Sequence, residues 1–173
     1  MRRNVVLLAL ALCCVAAAAR PYAGQEEKKA EGERAKLLAV GEAAPGWKLV
    51  DPEGREHTLA EYRGRVVVLD FWATWCGPCA KVMPRLEKLQ KKYADRGVVV
   101  LGLSSWDTGD PAAAMKKRGI TYTLLLKGEE MAPSYGVTSL PVVYVIGADG
   151  RVVYSHAGPD QKDLSDLVEN QLK

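Results

Sequence analysis

After its opening Arg65, the stretch RVVVLDFW is an apolar run to Trp72 interrupted only by Asp70. A run of this length without polar alternation describes a central strand buried on both faces. Directly after it the apolar period changes. From Pro78 onward Val82, Leu86, Leu89 and Tyr93 fall on one helical face, while Lys81, Arg85, Lys88 and Lys92 turn elsewhere. The local order is strand, turn, helix, and the turn carries Cys76-Gly77-Pro78-Cys79. With 173 residues and 48% hydrophobic content, the chain buries one sizeable core and hardly two.

The remaining pattern supplies more strands and helices in alternation. WKLVDPEGREHTL places apolar residues around a Pro-Glu-Gly turn and predicts a hairpin. GVVVLGLSS predicts a second buried strand. Asp110-Pro111 reads as an N-cap and first-turn proline for a short helix that ends near Gly119. YTLLLKG predicts a strand, and EEMAPSYG a brief helix or loop. VVYVIGADGRVVYSHAG predicts a hairpin about Ala148-Asp149-Gly150, and Leu164, Leu167, Val168 and Leu172 mark the core face of a last helix. The expectation is an α/β domain, a mixed central sheet with helices on both faces.

The first residues stand apart from that domain. Arg2 and Arg3 precede an uncharged, mostly apolar segment over Val5–Ala19, shorter than the roughly 20 residues of a spanning helix. Ala17 and Ala19 fit the small-x-small pattern before a signal-peptidase cut, so residues 1–19 read as a signal peptide cleaved ahead of Arg20. Two rival readings remain: an uncleaved membrane anchor over residues 5–19, and a lipoprotein acylated at Cys13. Residues 20–40 are rich in Glu, Lys, Ala and Gly and read as a flexible tether, and the domain runs from 41 to 173.

Cleavage takes two arginines and no acid, so 24 basic against 21 acidic residues becomes 22 against 21. That balance points to no nucleic-acid partner, and EKLQKK interleaves charge as a solvated surface does. Cys13 and Cys14 leave with the signal. Cys76 and Cys79 are then the only thiols, in a compartment where disulfides persist.

Two cysteines at this spacing are a metal clamp, a staple or a redox pair. A structural zinc site takes four ligands, and the chain adds only the isolated His57 and His156, so no metal is expected. A staple closing four residues constrains the unfolded chain little. A redox pair suits the geometry, because a thiol at a helix N-terminus meets unpaired N–H groups and the positive dipole end. Cys76 is then the exposed nucleophile, and Cys79 resolves the mixed disulfide.

DFWATWCGPC together with TSLPVVYV about 60 residues later resembles the thioredoxin superfamily. The span from GEAAPGWKLVDPEG through RGRVVVLDFWATWCGPC to GADGRVV is similar to its TlpA/ResA branch of exported thiol-disulfide oxidoreductases. The resemblance implies a thioredoxin fold with an N-terminal hairpin and a central helix-strand insertion, which PAAAMKKRGITYTLLL would fill. It implies a cis bond between Leu140 and Pro141, with this loop facing Cys76 and Leu140 offering its backbone to an extended substrate. Trp75 then lines the contact surface, Trp72 serves as contact or plain packing, and Pro84 bends the helix. Members of the branch commonly carry a glutamate three residues after the second cysteine, where this chain has Val82. Asp70, six residues before Cys76 as in thioredoxin itself, is the carboxylate left to take the Cys79 proton, with a pKa raised by burial.

The resemblance further implies no bound cofactor, a monomer, exported or periplasmic location, a membrane dithiol electron donor and exported protein disulfides as substrates. Apocytochrome c is one such substrate of the family, although Val82 departs from the cytochrome-maturation pattern. The same fold hosts disulfide oxidases and isomerases, thiol peroxidases and redox-inactive peptide-binding modules. Peroxidases place Thr three residues before their cysteine, where this chain has Ala73. Gly77 has no side chain and Pro78 no N–H, so neither adds the thiolate stabilisation of a strong oxidant, and the reductase direction is favoured.

Overall fold

The computed structural model describes residues 36–173. In chain order they form β1 (Lys48–Val50), β2 (Glu56–Thr58), β3 (Val66–Trp72), α1 (Cys79–Tyr93), β4 (Val98–Ser104), α2 (Pro111–Arg118), β5 (Thr123–Leu125), β6 (Val142–Ile146), β7 (Val152–Ala157) and α3 (Ser165–Gln171). All seven residues of β3 are buried, and β3 is the middle strand of the order β5-β4-β3-β6-β7. It pairs in parallel with β4 and antiparallel with β6. The sheet is therefore mixed, as the alternating pattern predicts. The insertion appears as α2 and the parallel edge strand β5.

Strand alternation sends the side chains of β3 to two cores. Val66, Val68 and Trp72 join a cluster with Val82, Met83, Leu86, Leu89 and Tyr93 of α1, Met115 of α2 and Val168 of α3. Val67, Leu69 and Phe71 join the cluster on the other face, with Trp47, Leu49, Tyr135, Val137 and Tyr144. That second face is covered by the β1-β2 hairpin and by short 3-10 turns at Gly128–Glu130 and Pro133–Tyr135, the outcome for EEMAPSYG. The three α-helices all contribute to the first cluster.

Local signals set the element ends. Asp110 caps α2 by accepting the Ala113 N–H at 2.9 Å, Pro111 opens the helix, and Gly119 closes it at φ 67°. The β6-β7 turn closes with the Gly150 N–H on the Gly147 carbonyl at 2.9 Å. The packed chain reaches back past Gly41: Leu37 and Leu38 pack on the second core, and the Leu38 N–H donates to Tyr144 Oη at 3.0 Å. Residues 1–19, expected as a cleaved signal peptide, and most of the 20–40 tether lie outside the described residues.

Candidate active site

Beyond Trp72 the chain turns through residues 73–78 into α1. The Cys76 N–H donates to the Ala73 carbonyl at 3.1 Å and closes that turn. Cys76 and Cys79 are joined as a disulfide, their Cα atoms 5.3 Å apart, within the usual span of bridged cysteines. Cys79 is the first residue of α1 and has no exposed surface, whereas Cys76 keeps 3%. Cys76 is thus buried in this bridged form and not exposed as the sequence reading expects, though it is the less enclosed of the two sulfurs. The Cys79 N–H donates to Cys76 Sγ at 3.2 Å. N–H groups of a first helical turn lack intrahelical acceptors, so this one stabilises negative charge on Sγ once the bridge is opened. Gly77 and Pro78 are exposed between the two cysteines.

Asp70 shares the face of β3 that carries Val68 and Trp72, the face covered by α1, and is fully buried. Burial pushes its carboxyl up to about 7, against the smaller opposing effect of a 2.8 Å hydrogen bond donated by Tyr122 Oη to Oδ2. Oδ1 has no partner. Tyr122 reaches Asp70 because Gly102 of β4 lies opposite Asp70 and has no side chain. A Cβ at Gly102 would fall 2.8 Å from Tyr122 Cε2 and 3.1 Å from Trp72 Nε1.

Two loops flank this centre. On one side the Leu140–Pro141 bond is cis, and β6 begins directly after it with Val142 opposite Phe71. Pro141 is buried, and Leu140 is half-buried against both cores. On the other side β4 ends with Ser104 opposite Trp72, and the loop that follows is tied to the dithiol turn. Asp107 accepts from the Thr74 N–H at 2.8 Å, Thr74 Oγ1, Ser104 Oγ at 3.0 Å and the Gly109 N–H at 3.0 Å. Burial pushes the Asp107 carboxyl up, but the hydrogen bonds from Thr74, Gly109 and Ser104 outweigh it and hold the group below its ordinary value.

The predicted site residues therefore gather at one end of β3. Trp75 is 60% exposed and donates its indole N–H to the Trp106 carbonyl at 3.0 Å. Trp72 is fully buried beneath the Arg118 guanidinium, 5.9 Å from its ring, which makes it packing. Pro84 lies inside α1 on its exposed side, and Val82 is fully buried in the core. Three residues of this neighbourhood escape the sequence reading: Tyr122, Gly102 and Asp107. A glycine in the middle of VVVLGLSS is the one local signal of the close approach that Tyr122 makes.

Residues 39–171 match the Redoxin family. The thiol-disulfide oxidoreductase ResA of Bacillus thuringiensis is 32% identical over the whole of this chain and 98% of its own length. ResA of Geobacillus thermodenitrificans is 38% identical over 66% of this chain and 67% of its own. Among solved structures, a thiol:disulfide interchange protein DsbE of Chlorobium tepidum superposes with a TM-score of 0.71 at 30% identity, covering 79% of this chain and 99% of that one. The bridged cysteines of Cys-Gly-Pro-Cys at a helix head, a cis-proline loop at the start of β6 and this likeness over the described domain agree: the chain belongs to the Redoxin family of the thioredoxin superfamily, as a TlpA/ResA-like thiol-disulfide oxidoreductase.

Proposed function

We propose that the protein works as a reductase of protein disulfides outside the cytoplasm. The observation that carries this reading is the Cys79 N–H directed at Cys76 Sγ at the head of α1, with only glycine and proline between the cysteines. It makes Cys76 a nucleophile of moderate stability, one that gives electrons up readily. In the reduced enzyme the Cys76 thiolate attacks one sulfur of a substrate disulfide. The other substrate sulfur leaves as a thiolate and takes a proton, and a mixed disulfide remains on Cys76. Cys79 then loses its proton to the Asp70 carboxylate, directly or through water, and attacks Cys76 Sγ. The second substrate thiol departs, the Cys76–Cys79 bridge forms, and two electrons have passed to the substrate.

Asp70 suits that step because a group near 7 exchanges a proton at neutral pH, and Oδ1 is the free acceptor while Tyr122 holds Oδ2. Leu140 and Pro141 border the place where an extended substrate backbone would lie, and Trp75 forms part of its contact surface. Return of the oxidised form to the dithiol falls to a membrane dithiol donor. The thiol peroxidase reading fits less well, since Thr74 Oγ1 is engaged with Asp107.

Substitution Cys79→Ser removes the resolving sulfur and should leave Cys76 covalently joined to its substrates. Exported protein disulfides are the expected catch, apocytochrome c among the candidates, identified by mass spectrometry after non-reducing purification. Absence of any dithiothreitol-sensitive adduct on Cys76 sinks the two-step mechanism.

A further inference from the structure

Among the described residues three large hydrophobic side chains are exposed. Two of them, Trp75 at 60% and Trp106 at 41%, are hydrogen-bonded neighbours beside the dithiol. Trp106 belongs to neither core cluster. Its backbone sits at φ 49°, a region that a bulky residue occupies only at a cost. Contacts on both sides hold it there: its N–H donates to the Glu129 carboxylate at 3.1 Å, and its carbonyl accepts the Trp75 indole N–H at 3.0 Å. The next residue, Asp107, binds the same loop to Thr74. An indole is thus presented to solvent from a strained, doubly anchored backbone.

The sheet order states what it borders. With β3 between β4 and β6, the Trp106 loop lies on one side of the end of β3 and the Leu140-Pro141 loop on the other. Cys76 follows β3 between them. We propose that Trp106, with Trp75, forms a wall of the substrate surface that receives an apolar side chain next to the reacting cysteine of an extended protein segment. This rests on the reductase reading and names the substrate class that reading leaves open.

The chemistry of the occupant follows from the surroundings. Indole faces hold apolar side chains and also cations. Arg118, which donates to the Thr74 carbonyl at 3.5 Å, already places a positive charge beside the turn. The acids at this loop, Asp107 and Glu129, accept hydrogen bonds from nearby donors, Asp107 four of them and Glu129 the Trp106 N–H. What the two exposed indoles have to gain is apolar surface covered, and an apolar group is therefore the occupant.

Three disulfide-closed peptides that differ only in the residue before one cysteine, Leu, Lys or Ser, test this. Second-order rate constants for their reaction with pre-reduced protein are read by acid quench and thiol counting. The wild type should favour Leu over Ser by about fivefold, the size of a good aromatic contact. Trp106→Gly, which suits the positive φ, should bring that ratio close to one, and Trp106→Phe should keep most of it. A purely structural Trp106 would slow all three peptides alike and leave the ratio intact, which overturns the inference. So does a wild type without preference, or one that favours Lys. A wild type that reduces none of the peptides removes the reductase reading itself, and this inference with it.

Discussion

A carboxyl with no exposed surface and one unpartnered oxygen costs folding free energy whenever it is ionised. Asp70 titrates at about 7 in place of 3.8, so the unfolded chain releases this proton first as pH rises. Below the ordinary value both states hold the proton and the penalty is absent; it grows as pH rises from about 4 and is complete above the folded value near 7. Asp70→Asn should therefore be more stable than wild type at pH 8, by up to about 4 kcal/mol, and little different at pH 4, in urea denaturation of the oxidised protein. The same variant should slow resolution of the mixed disulfide near neutrality in single-turnover kinetics, while the first attack by Cys76 changes less. Unchanged rates and pH dependence in both steps would make Asp70 a structural residue. Tyr122→Phe removes the hydrogen bond that restrains the Asp70 carboxyl, and should move its titration upward. Asp70 is legible in the sequence as the one polar residue of an apolar run. Tyr122 is not, because its contact spans 52 positions and depends on a missing side chain at Gly102.

The strand, turn and helix around the dithiol are legible because their apolar periods differ, and the observed bounds of β3 and α1 follow that change. The charge of α1 is less so. EKLQKK reads as interleaved charge, but Glu87 turns inward, accepting the Thr121 N–H at 2.8 Å and its hydroxyl at 2.7 Å. The exposed side of the helix is left with Lys81, Arg85, Lys88, Lys91 and Lys92 and no acid. The loop after β4 was equally hidden, since SSWDTGDP announces a turn but not that one carboxylate serves four donors. Asp107→Ala strands the Thr74 N–H and frees the loop, so a loss of about 1–3 kcal/mol is expected at pH 7 in urea titrations. Because the folded Asp107 lies below its ordinary value, its contribution is present above that value and fades as pH falls through the folded one. The difference between Asp107→Ala and wild type should accordingly shrink in acid; a constant difference across pH would show that the charge is not what binds the loop.

At the scale of the molecule, the sheet separates two cores, and the chemistry sits where β3, α1 and the two flanking loops meet at one end of it. That arrangement was legible as a resemblance over residues 41–173, while the strap of Leu37 and Leu38 was not, because two leucines at the end of a charged stretch carry no period. Among the described residues no helix is long and apolar enough to cross a membrane. We expect exported protein to begin at Arg20, which intact-mass measurement reads directly; a mass that retains residues 1–19, or a lipid on Cys13, contradicts it. The central claim concerns the direction in which electrons move through Cys76 and Cys79. Equilibration of the protein with glutathione or a stronger dithiol, followed by alkylation and thiol counting, yields the reduction potential of the pair. The account predicts a value near the roughly −270 mV of thioredoxin, and a value near the roughly −120 mV of a strong periplasmic oxidant would contradict it.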